Sequence, residues 1–106
     1  MKKLLWIVGC ATLIASAPSL AANPAAGKEK SKTCAACHGP DGNSVAPDFP
    51  RLAGQNFDYL VKALADYKAG ERKNAIMAPM AGALSQRDIE DLASFYSRQP
   101  GLTVKY

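Results

Sequence analysis

Cys34 and Cys37 stand two residues apart, with the chain's single histidine, His38, directly after the second. Two thiols and an imidazole in five positions allow four chemistries. A dithiol redox pair belongs in a βαβ setting, and no strands are evident in this sequence. A structural disulfide would close a very tight ring and leave His38 without a role. A zinc site needs a fourth ligand, and beyond an early Cys10 the sequence has no further cysteine or histidine. The fourth chemistry is porphyrin attachment, for which this spacing is a recognised signal. Two thiols at a helical turn reach both vinyl groups along one macrocycle edge, and His38 is then held near the ring face to ligate iron. The spacing therefore predicts one covalent haem c and its iron. Ala35 and Ala36 between the cysteines are small and suit close packing.

The second axial position decides the chemistry. A filled position favours electron exchange, and an open one binds gases or peroxide. With no second histidine, a methionine thioether is the natural donor. Met77 and Met80 both lie in "NAIMAPMAGAL" (74–84), a stretch interrupted by Pro79 and Gly82. A loop of that kind can deliver a side chain to a cofactor, although most methionines are core filler. The residues alone do not choose between the two.

The surrounding elements must place these groups. The 106 residues allow one small domain. Met1-Lys2-Lys3, the apolar run Leu4–Ile14 and the small residues of "ASAPSLAAN" read as a secretory signal peptide over 1–22, cleaved after Ala21 or Ala22. The apolar run is too short to span a bilayer, which demotes a membrane anchor. A lipid on Cys10 would leave an apolar stub behind it. Residues 23–106 then form the domain. Loss of Lys2 and Lys3 lowers the formal charge from +4 to +2, too mild an excess for nucleic acid to be the main partner.

Three main helices are expected. The first starts at Asn23 and Pro24, runs toward the cysteines, and ends at Gly39-Pro40. The second follows an Asn56 cap and stops at Gly70, with Tyr59 or Leu60, Ala63, Leu64 and Tyr67 on one face. The third opens on a Ser85–Asp88 capping box, lines up Ile89, Leu92, Ala93, Phe95 and Tyr96, and stops at Pro100-Gly101. Phe57, Tyr67, Phe95 and Tyr96 read most simply as core. Residues 39–56 and 71–84 read as loops, the first too long to be a passive connector.

Taken together, "CAACHGPDGNS", "FPRLAGQ", "YLVKALADYKAGER" and "MAPMAGALSQRDIEDLASFYS" resemble the class I cytochromes c, most closely the small bacterial type found singly and in tandem di-haem proteins. The resemblance covers nearly all of the mature chain. It implies an all-α class I cytochrome c fold wrapped around one haem, with first and last helices crossing. It implies His38 and a methionine as axial ligands, with Met77 as the first of the M-x-x-M pair and Met80 as the alternative. It also implies that the Pro50 carbonyl orients the ligand histidine.

The function expected is a periplasmic electron carrier, not an enzyme, working as a monomer between respiratory redox proteins. These could be a membrane quinol-oxidising complex, a terminal oxidase or a periplasmic reductase, met in transient docking. Ala35, Ala36, Val45 and Ala46 are candidates for an apolar rim at the exposed haem edge, with Lys32, Arg72 and Lys73 nearby. Arg51, Gln55, Asn56 and Tyr59 are candidates for the propionates. The competing reading is a haem-based gas or ligand sensor, or a small haem enzyme subunit, with an open sixth position. An enzyme would want distal acid–base groups, and the sole histidine is already committed.

Overall fold

The structure is a computed structural model that describes residues 3, 7–12 and 21–101. Residues 7–12 are exposed, with Ile7 92% and Val8 86% accessible. Residues 13–20, which hold most of the small residues offered for cleavage, lie outside the described residues. No helix among the described residues is long and apolar enough to cross a membrane.

The described chain is helical and contains no strand. Its elements are α1 (Pro24–Lys30), a 3-10 turn (Ser31–Thr33), α2 (Ala35–His38), α3 (Phe57–Ala69), α4 (Met77–Gly82) and α5 (Gln86–Ser97). The expected first helix is thus broken in two: the chain tightens at Ser31–Thr33 before the attachment motif. A second difference lies in 71–84, read as a loop, where α4 forms despite Pro79 and Gly82.

The cap chemistry explains where helices begin. Asn23 Oδ1 accepts the N–H groups of Ala25 and Ala26 at 2.9 and 3.2 Å, and Pro24 follows at the first helical position. Ser85 Oγ accepts the Asp88 N–H at 3.0 Å while Asp88 Oδ2 accepts the Ser85 N–H at 2.9 Å, a reciprocal box. The Asn56 side chain, by contrast, makes no capping bond to α3.

The first and last helices cross at Gly27. A Cβ there would lie 2.0 Å from the Asp91 carbonyl oxygen and 2.9 Å from Phe95 Cβ, so only hydrogen fits. The approach brings α1 onto Asp91, which is 2% exposed. Its carboxylate accepts the Asn23 N–H at 2.8 Å and pairs with Lys30 at 2.7 Å and Arg87 at 3.5 Å. Burial works to raise the Asp91 carboxyl, but Lys30, the Asn23 N–H and Arg87 outweigh it and hold it below its ordinary range. Lys30 also pairs with Asp88 at 2.9 Å. A carboxylate in the middle of the crossing replaces what would otherwise be an apolar contact.

The core lies between α3 and α5. Leu60, Leu92, Ala93, Phe95 and Tyr96 form one buried cluster. Ile89 and Leu92 are 1% exposed, each worth roughly 2 kcal/mol of burial. All five apolar positions expected on the last helix are buried. On α3 the choice falls to Leu60, since Tyr59 is 49% exposed. Phe57 is not core: it opens α3 at the surface, and Tyr67 is only half-buried.

Candidate haem-binding site

Cys34 and Cys37 are free thiols, both half-buried, on one helical turn. The Cys37 and His38 N–H groups both return to the Cys34 carbonyl, at 3.2 and 2.9 Å, which fixes the pair on one face. His38 closes α2 and is buried at 6% exposure. Its Nδ1 lies 2.8 Å from the Pro50 carbonyl oxygen. A carbonyl only accepts, so Nδ1 carries the proton and Nε2 keeps its lone pair. Phe49 meets the imidazole edge-on, ring centroids 6.5 Å apart.

The 39–56 segment, expected to wrap something, is held by backbone contacts. The Leu52 and Ala53 N–H groups donate to the Gly42 carbonyl at 2.8 and 3.2 Å. Gly42 has φ +85°, and a Cβ there would meet the Tyr96 ring at 2.8 Å, so no other residue serves. The Gly54 N–H reaches the Tyr96 carbonyl at 2.9 Å, and Asn43 Nδ2 reaches the Pro100 carbonyl at 2.9 Å. The Ser44 hydroxyl lies 3.2 Å from the Cys37 carbonyl and accepts the Ala46 N–H at 3.2 Å. These contacts hold Pro50 opposite His38.

Of the methionines, Met77 opens α4 and is half-buried, while Met80 is 39% exposed. Of the expected rim, Val45 is 98% exposed and Ala36 exposed, while Ala35 and Ala46 are half-buried. Lys32 pairs with Glu29 at 2.7 Å. Arg72 donates to the Tyr59 hydroxyl at 3.1 Å and stacks 4.8 Å from the Tyr67 ring centroid, so Arg72 and Tyr59 engage each other. Arg51 is exposed, and Gln55 Oε1 accepts the Asn56 N–H.

Sequence reasoning missed two residues. One is Asn74, whose Oδ1 accepts the Ile76 and Met77 N–H groups, both at 2.9 Å. An Asn directly before an apolar-rich stretch is a cap signal, masked here by Pro79 and Gly82. The other is the Tyr96 hydroxyl, which is buried with no hydrogen-bond partner among the described residues. Burial, with the Cys34 thiol beside it, pushes the Tyr96 hydroxyl well above its usual range, so it stays protonated.

The residues fit a porphyrin. Cys34, Leu52, Val61, Leu64 and Leu84 pack against the buried cluster yet stay partly bare, an apolar surface that a flat apolar ring would cover. The donor set beside it is two thiols and an imidazole nitrogen with a free lone pair.

An all-α body with its first and last helices crossed, and paired thiols leading into a buried histidine, defines a small haem-carrying protein with the class I cytochrome c fold. The cytochrome c family profile matches residues 24–97. The chain is 48% identical over 82 residues to cytochrome c-554(548) of Halomonas halodenitrificans, covering 74% of this chain and 99% of that protein. The crystal structure of reduced recombinant cytochrome c4 from Pseudomonas stutzeri superposes with a TM-score of 0.73 at 46% identity, over 77% of this chain and 48% of that one. The thiosulfate dehydrogenase electron acceptor of Stutzerimonas stutzeri is 37% identical over 113 residues, 94% of this chain and 50% of that protein. The chain thus spans nearly all of the first relative and about half of the other two. It belongs to the cytochrome c family: a haem c electron-transfer protein, with haem c and its iron held covalently.

Proposed function

We propose that this protein is an exported monomeric one-electron carrier in which Cys34 and Cys37 form the thioethers, His38 and Met77 ligate the iron, and the Pro50 carbonyl orients His38. The observation that carries the reading is the 2.8 Å contact between His38 Nδ1 and Pro50, which leaves Nε2 as the only ring nitrogen able to bind a metal. Haem c supplies a reversible ferric–ferrous couple.

The chain's own residues do the rest. Pro50 locks the imidazole tautomer and fixes the ring's orientation. A Met77 thioether favours the ferrous state and so raises the potential. Met77 is preferred to Met80 because it is the more buried and sits at the pinned end of α4. Leu52, Val61, Leu64 and Leu84 exclude water. Exposed Val45 and Ala36 give partners a small apolar footing, suited to weak and rapid encounters. Residues 1–22 direct export to the periplasm, where the partners are redox proteins. With His38 and Met77 both on the iron, the site would exchange electrons rather than bind a substrate.

The test uses the protein purified from a host that matures c-type haem. Its mass should exceed its residues by one porphyrin, and the ferric form should carry the weak long-wavelength band of a methionine–iron bond. Met77→Ala should abolish that band and Met80→Ala should spare it. Ready carbon monoxide binding by the reduced wild type would favour the open-site sensor or enzyme-subunit reading instead.

A second reading concerns the partner. Likeness to the thiosulfate dehydrogenase electron acceptor across nearly the whole chain favours service as the accepting subunit of a sulfur-compound dehydrogenase. Stopped-flow reduction by such a dehydrogenase, set against reduction by a quinol-oxidising complex, separates the two by rate.

A further inference from the structure

The segment that brings in the methionines has little of its own to hold it. Residues 71–76 are all exposed. Helix α4 is six residues long, has no acidic residue in its first turn, and receives no side-chain bond from Ile76, the residue just before it. Every helix start leaves backbone donors without partners. Here the donors are the N–H groups of Ile76, Met77 and Ala78, since Pro79 has none.

Asn74 takes all three. Its side-chain Oδ1 accepts from Ile76 and Met77, both at 2.9 Å, and its backbone carbonyl accepts from Ala78 at 3.0 Å. We propose that Asn74 is the positioning residue for the methionine ligand: by holding the Met77 amide it fixes the thioether's attachment point and slows its departure from iron. The proposal rests on the reading that Met77 is that ligand. Asn74 acts through the backbone amides that it holds.

An ordinary cap would stabilise a helix and nothing else, so the test compares two caps. Asn74 caps α4, and Ser85 caps α5 outside the haem-binding set. The measurement is the rate at which imidazole, added to the ferric holoprotein, displaces the methionine band, a rate limited by thioether departure. Asn74→Ala should raise that rate about fivefold, the scale of one lost cap. Asn74→Asp, which keeps an acceptor at the same place, should restore it to within about twofold. Ser85→Ala should lower thermal stability and leave the rate unchanged.

Equal rates for Asn74→Ala and wild type, with Met77→Ala lacking the band, would overturn the positioning role alone. Persistence of the band in Met77→Ala would overturn the ligand reading and the positioning role with it. Equal acceleration by Ser85→Ala would reduce Asn74 to a general stabiliser and overturn the proposal.

Discussion

The α1–α5 crossing and the α4 segment are built by opposite rules. At the crossing, backbone meets backbone over Gly27, a buried carboxylate is satisfied from three sides, and both helices carry side-chain caps. Around α4, the connecting residues are exposed, the helix is short though it packs on α3 and buries Ala81, and its polar fastenings are Asn74 at its start and the Lys68 ammonium on the Leu84 carbonyl beyond its end. The contrast separates two tasks. Stability is concentrated where no partner or ligand needs movement. The segment proposed to hold iron adds a few replaceable polar contacts at its ends to its packing on α3, so its tightness can be tuned there.

Paired glycines put the largest strain on that contrast. Gly27→Ala should cost about 3 kcal/mol, because the Asp91 carbonyl in its way is backbone and cannot swing aside. Gly82→Ala in α4 meets nothing within 4 Å and should be neutral or stabilise by up to about 1 kcal/mol. Denaturant midpoints of the two holoproteins measure both, and similar midpoints would erase the distinction.

Polar deletions come next. Asp91→Ala strands the Asn23 N–H and leaves Lys30 with Asp88 alone, and should cost about 2 kcal/mol. Lys68→Met removes an exposed contact near α4 and should stay within about 0.5 kcal/mol. If the order of those two losses were reversed, the rigid region would have been misplaced.

A smaller effect belongs to the box at Ser85, where Ser85→Ala should cost about 1 kcal/mol in the same melts.

The smallest is a dependence on acidity. Lys30, the Ser85 N–H and the Ser85 hydroxyl hold Asp88 at about 2, below its ordinary value, and Asp91 is lowered as well. Groups lowered on folding stabilise fully above their unfolded value, near 4, and lose that contribution as pH falls toward the folded one. Stability should therefore decline between about pH 4 and 2, and less steeply in Asp88→Asn. A variant curve parallel to wild type over that window would remove Asp88 from the account.

Legibility in the sequence divided along the same line. The crossing helices were readable because their caps are local: Asn23 before Pro24, and Ser85 three residues before Asp88, act within one turn. The α5 face was readable because Ile89, Leu92, Ala93 and Tyr96 repeat at helical spacing. Asp91 and Ser94 were not recognisable as buried. They lie on the side that α1 covers, and that depends on Gly27, more than sixty residues away. The α4 helix was hidden by Pro79 and Gly82, which argue for a loop unless the donors ahead of Pro79 are seen to converge on Asn74. Phe57 was misjudged because an aromatic at a helix's first residue can point off the end of the core. In the site, the cysteine pair and His38 were legible from their spacing, and Pro50 only through the resemblance to the class I cytochromes c. The half-bare ring of Leu52, Val61, Leu64 and Leu84 was not, since it takes three elements to assemble it.

The bonds from Gly54 to Tyr96 and from Asn43 to Pro100 place the last helix in charge of closing the first loop. Before α5 docks, the segment that carries Pro50 lacks both of these ties. The final helix is thus the latch on the pocket beside the cysteine pair.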